Sequence, residues 1–99
     1  MPTTTIHRIY TEGKNEREVV RLASGRLDSF TVQPTAGYYQ GECERSIVLE
    51  VIGAHQRDVN ALAESIRRMN GQKSVLIVKT RGISKVTRKF ADSWSGRQR

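Results

Sequence analysis

The sequence predicts a small α+β domain in the order strand, helix, strand, strand, helix, strand. Three observations predict it. Two segments, Val19 to Leu27 and Val59 to Met69, carry apolar residues at helical spacing. Two runs, Ser46 to Ile52 and Ser74 to Val78, are nearly continuous in apolar and β-branched residues, as buried strands are. A length of 99 residues holds one core and no second domain.

Each element has its own signal. Thr3 to Thr11 is rich in β-branched residues and closes at Gly13, which predicts the first strand and a turn. Asn15 and Glu18 have the spacing of a helix-capping pair, and Val19, Val20, Leu22, Ala23 and Leu27 follow as an apolar stripe ending near Gly25. Phe30-Thr31-Val32 alternates as a short strand, and Pro34 restricts any pairing beyond it to an edge or a loop. Pro34 to Gly41 reads as an irregular recognition loop, a hairpin tip or a mobile segment, with a glycine on each side of a tyrosine pair. Ser46 to Ile52 is the strongest strand signal and is placed centrally. From Gln56 the period becomes helical, with Val59, Leu62, Ala63, Ile66 and Met69 on one face and Asn70-Gly71 as the stop. Ser74 to Val78 is the last strand, and Gly82 interrupts any continuation.

This is the split βαβ plan of the ferredoxin-like fold, a four-stranded antiparallel sheet with both helices on one face. If Ile47, Leu49 and Val51 face the helices, Val48, Glu50 and Ile52 face away. Either register of the last strand adds two of Val75, Leu76, Ile77 and Val78 to that outer face. A monomer rarely leaves such a face in water, so a second copy is expected to cover it, with the C-terminal segment as the other occupant.

Charge separates the chain into two parts. Lys and Arg number 17 against 10 Asp and Glu, a net of +7. Met1 to Val78 holds ten basic and nine acidic residues, a net of +1; Lys79 to Arg99 holds seven basic residues against Asp92, a net of +6. The expected division is a ferredoxin-like domain over residues 1–78 and a basic C-terminal segment over 79–99. Lys79, Arg81, Lys85, Arg88, Lys89 and Arg97, with Trp94 and Phe90 interleaved, suit single-stranded nucleic acid, where guanidinium groups hold phosphates and rings stack on bases. A small anion or an acidic protein surface would answer the same charge. Cys43 is the only cysteine, which excludes an internal disulfide and a multi-cysteine metal site. No apolar run approaches a membrane span or a signal peptide, so a cytoplasmic protein without membrane contact is expected.

Gly37-Tyr38-Tyr39-Gln40-Gly41-Glu42-Cys43-Glu44-Arg45 and the apolar strand that follows resemble the hairpin of small PII-like and CutA-like ferredoxin-fold proteins. The resemblance runs from about Ile6 to Val78. It implies a homo-oligomer, usually a trimer whose sheets pack together, and a nucleotide or small anion bound in clefts between subunits. Gly37 and Gly41 would let backbone amides approach an anion, and Tyr38 or Tyr39 would stack on a base. The loop is shorter than that of PII proteins, and the basic segment is outside their pattern.

Signals for catalysis are few. Glu42 and Glu44 share one side of a strand and read as a solvated edge balanced by Arg45, while Cys43 points the opposite way with no histidine at a telling spacing. His7, His55 and Cys43 come from three separate elements with no metal-ligand spacing, and no motif requires a cofactor. The expected function is a non-enzymatic, self-associating protein that holds an anionic partner, foremost nucleic acid, through its basic segment. The alternatives are a PII-like regulatory module binding a nucleotide or small anion between subunits, and a small inhibitor or adaptor.

Overall fold

A computed structural model describes residues 4–83. Six elements follow the expected order: β1 (Thr4–Glu12), α1 (Glu16–Ser24), β2 (Thr31–Tyr39), β3 (Glu42–Ile52), α2 (Gln56–Asn70) and β4 (Leu76–Ile83). All strand pairs are antiparallel, in the sheet order β2-β3-β1-β4. This is the ferredoxin-like α+β fold.

The core forms between one sheet face and the two helices. Registers Ile9↔Leu49, His7↔Val51 and Thr11↔Ile47 put these side chains on the helix face. Ile9, Ile47 and Leu49 pack there with Val19 and Ala23 of α1 and Val59, Leu62, Ala63 and Ile66 of α2. Every one of these helical positions belongs to the stripes read from the sequence, because an apolar face in water is what drives a short helix onto a sheet.

Four local expectations need correction. Pro34 to Gly41 is not an irregular loop: β2 continues to Tyr39, and β3 begins at Glu42 rather than Ser46. Pro34 is tolerated because β2 is an edge strand, where an absent N–H need not break a ladder. Asn15 makes no side-chain cap; it adopts a left-handed conformation (φ 58°) and its Nδ2 donates to Asn70 Oδ1 at 2.9 Å. Glu18 binds Arg21 instead of reaching back to the helix start. Finally, β4 runs through Lys79 and Arg81, which pair with His7 and Thr5, so the expected junction at residue 78 falls inside a strand. The sequence change at Gly82 marks an irregularity, since Thr4 pairs with Ile83 while Thr5 pairs with Arg81.

On α2, Glu64 accepts from Arg67 Nη2 at 2.7 Å and from Arg68 Nε at 2.8 Å. These hydrogen bonds, Arg67 foremost, lower its carboxyl from 4.5 to about 2. Because the folded-state value is the lower one, ionised Glu64 stabilises the fold above about pH 4.5, and that contribution is lost as pH falls toward 2. Glu64→Gln should therefore melt slightly earlier than the parent at pH 7, the effect being small because solvent screens the cluster. Thermal melts should show the gap closing between pH 4.5 and 2.

Candidate functional site

Beyond the body of the sheet, β2 and β3 continue as a two-stranded ribbon. Its pairs are Ala36↔Arg45, Gly37↔Glu44, Tyr38↔Cys43 and Tyr39↔Glu42, whereas β1 pairs with β3 only from Ser46 onward. Gln40 (φ 51°) and Gly41 (φ 80°) close the ribbon with two consecutive left-handed residues, the geometry of a two-residue type I′ hairpin. Side chains alternate along it. Tyr39, Glu42 and Glu44 share the parity of the outer sheet face, and Tyr38, Cys43 and Arg45 that of the helix face. Tyr38 and Tyr39 are 74% and 66% exposed, so the expected ligand loop is a projecting arm with free rings.

The outer face carries the apolar residues the alternation predicts. Val48 and Ile52 of β3 and Leu76 and Val78 of β4 lie there with Ile6 and Tyr10 of β1. Ile52 is 50% and Leu76 61% exposed. One ion pair interrupts the surface: Arg8 Nε donates to Glu50 Oε2 at 2.9 Å across the β1–β3 ladder.

Where the ribbon leaves the body, three elements meet. The Gly13 amide donates to the Arg45 carbonyl at 3.0 Å, and a Cβ at Gly13 would come within 2.9 Å of the Arg45 carbonyl carbon. Only glycine admits that approach. Behind it, Thr11 Oγ1 donates to Gln72 Oε1, and Asn70 Nδ2 donates to Gln72 Oε1 at 2.8 Å and Thr11 Oγ1 at 3.3 Å. All three side chains are buried. This network fastens the α2–β4 turn to the end of β1, and the crease in front of it is lined by Tyr10, Glu12, Glu44 and Arg45. Sequence reasoning missed the crease, since its residues are more than thirty positions apart and no local pattern announces contacts of that range.

The remaining candidates are dispersed. Lys79 and Arg81 are exposed on β4, an edge strand. Lys85, Arg88, Lys89, Trp94 and Arg97 lie outside the described residues. His7 is buried, its Nε2 donating to Gln56 Oε1 at 3.1 Å, while His55 and Cys43 are exposed. Among the described residues no three His, Cys, Asp or Glu side chains lie close enough to hold a metal, and no helix is long and apolar enough to cross a membrane.

Scans of described protein families and of curated proteins return no match. Solved structures do resemble the fold. A phage SAM lyase in complex with S-methyl-5′-thioadenosine is 20% identical over 78% of this chain and 80% of its own, with a TM-score of 0.60. A nitrogen regulatory PII-like protein from Thiomonas intermedia, bound to ADP, AMP and bicarbonate, is 13% identical over 85% of this chain and 96% of its own, with a TM-score of 0.60. The periplasmic divalent cation tolerance protein CutA from Archaeoglobus fulgidus is 12% identical over 90% and 92%, with a TM-score of 0.53. The chain has the fold of PII-like and CutA-like proteins. Such identities establish the fold alone, and the fold hosts an enzyme as well as a regulator.

Proposed function

We propose that this chain is a small, non-enzymatic, self-assembling binding module of the PII-like kind, holding an adenine nucleoside or nucleotide between copies. The observation that carries this is the outer sheet face, where exposed Tyr10, Ile52 and Leu76, with Val78 and the already buried Val48, surround the Arg8–Glu50 pair beside a ribbon with two free tyrosines. A second copy is the occupant that fits it. Four strands roughly 4.8 Å apart, with a rise of roughly 3.3 Å over the seven residues paired between β1 and β3, make a flat surface roughly 19 by 23 Å. That footprint, roughly 440 Å², is about half of the roughly 800 Å² per partner of a standard interface, so the ribbon must contribute the remainder. Arg8 and Glu50 are already neutralised by each other, so covering them leaves no uncompensated charge.

Two of the similar structures hold adenine compounds, S-methyl-5′-thioadenosine in one and ADP and AMP in the other, which supports adenine as the base. In this chain, Tyr38 and Tyr39 offer rings for stacking and Gly37 and Gly41 expose backbone. Thermal melts with adenosine, S-methyl-5′-thioadenosine, AMP and ADP test the reading, alongside light scattering. One ligand should stabilise by about 2.7 kcal/mol at a hundred-fold excess over its Kd, and Tyr39→Ala should shrink that shift more than Tyr38→Ala, because only Tyr39 shares the outer-face parity. A monomer with a flat screen would refute the module; consumption of S-adenosylmethionine would refute its non-enzymatic character.

Nucleic acid is the second reading, favoured by Lys79 and Arg81, both exposed on one side of β4 and leading into a basic sequence. Removing residues 79–99 would also remove most of β4, so Lys79→Gln with Arg81→Gln is the cleaner test. A gel shift with single-stranded RNA that is salt-sensitive in the parent and weakened several-fold in the variant supports it; an unchanged shift defeats these residues as contacts.

A further inference from the structure

Two adjoining depressions lie where the ribbon leaves the body, of about 390 and 200 Å³, and they share Glu12, Glu44 and Arg45. We infer that this crease selects a neutral adenine nucleoside over a charged nucleotide, with the ring on Tyr10 and the ribose hydroxyls on Glu44. Adenine is carried over from the function proposed above, on which the inference rests; the crease itself decides the rest.

Charge decides first. The ionisable groups of the two depressions are Glu12, Glu44, Lys14, Arg45 and the phenol of Tyr10. At neutral pH their charges sum to zero, and Lys14 Nζ is already held by Glu12 Oε2 at 3.0 Å. With Lys14 and Glu12 cancelling each other, and Glu44 offsetting Arg45, a diphosphate placed here would meet no net positive charge to hold it. A neutral nucleoside needs no such charge.

Hydrogen bonding decides the sugar. Glu44 forms no ion pair and no side-chain hydrogen bond among the described residues, and the residue paired with it across the ribbon is Gly37, which has no side chain to cover it. An ionised carboxylate only accepts, and its two oxygens match the two donors of a ribose cis-diol in a bidentate, charge-assisted pair. Tyr10 shares the parity of Glu44 and is 38% exposed, so its ring can carry the base while the sugar reaches the carboxylate.

The backbone that frames the crease is tied down before any ligand arrives. The Gly13 amide is bonded to the Arg45 carbonyl, and the buried Thr11–Asn70–Gln72 network fastens the third wall, so the backbone has little freedom left to lose on binding.

Calorimetry on the full chain tests this with adenosine, S-methyl-5′-thioadenosine, 2′,3′-dideoxyadenosine and ADP, in the parent, Glu44→Gln and Tyr10→Leu. The two ribonucleosides should bind the parent at least ten-fold more tightly than ADP does. Removing the diol or substituting Glu44→Gln should each weaken binding about ten-fold, and in Glu44→Gln the dideoxy compound should lose nothing further, a coupling that a merely unfolded variant cannot mimic. Tyr10→Leu should weaken all adenine ligands alike. If ADP binds more tightly than adenosine, or Glu44→Gln still discriminates the dideoxy compound, the crease assignment fails while the binding module stands. If no adenine compound binds, both fail together.

Discussion

Truncating Leu62 to Ala will lower the stability of the domain by about 2–5 kcal/mol, the range for leucines excised from close-packed cores. Leu62 is fully buried on the inner face of α2, in one cluster with Ile9, Leu49, Val59 and Ile66. Its loss removes both the transfer free energy of the missing carbons and the contacts of the atoms left lining the cavity. A chain of this size has about 5–15 kcal/mol in total, so a third or more could go at once. Urea titration should show a lower midpoint with the slope unchanged, since the surface exposed on unfolding is nearly the same. Leu76→Ala is the control. At 61% exposure within one subunit, Leu76 should cost an isolated chain little, and an equal loss at both positions would contradict the difference in burial between Leu62 and Leu76.

The contrast between Leu62 and Leu76 shows what was legible beforehand. Alternation and helical period are local, and they placed both helical stripes and the inner and outer residues of β3 without any contact being known; for the last strand they left two registers open, and pairing with β1 turns Leu76 and Val78 outward. The extent of β2 was not legible, because the composition of Pro34 to Gly41 argues for a turn while the ladder with β3 overrides it. The β4 boundary failed for a related reason. Net charge climbs from +1 before Lys79 to +6 from Lys79 onward, yet β1 has unpaired backbone as far as Thr4, and β4 extends to satisfy it through Lys79 and Arg81.

The site was legible only in its local part. Tyr38, Tyr39 and the flanking glycines could be singled out because aromatic and glycine residues in one short segment need no tertiary information to be noticed. Tyr10, Glu12 and Lys14 could not, since nothing in sequence ties them to Glu44 and Arg45; the tie is the Gly13 amide and a buried network reaching Gln72. Asn15 illustrates the same limit: its spacing from Glu18 promises a cap, and Asn70, from the far end of α2, takes its amide instead.

If copies assemble through the outer face as proposed, placing lysines there, Ile52→Lys with Leu76→Lys, should leave a folded monomer at micromolar concentration. Each large apolar side chain buried between copies contributes about 1.5–3 kcal/mol, so two sites per subunit weaken association by well over a hundred-fold before the desolvation of four new charges in a pair of copies is added. Both residues are at least half exposed within the subunit, so the fold itself should tolerate them, and circular dichroism should be unchanged while light scattering reports the mass of one chain. Arg8→Met with Glu50→Leu acts in the opposite direction. It removes an ion pair that must be desolvated when the face is covered, leaves no partner uncompensated, and should hold assembly at least as strong as in the parent. If the lysine variant retains the parent's mass, the contact lies elsewhere, on the exposed edges of β2 or β4, and the crease at Tyr10 must then bind its ligand without a wall from a second copy.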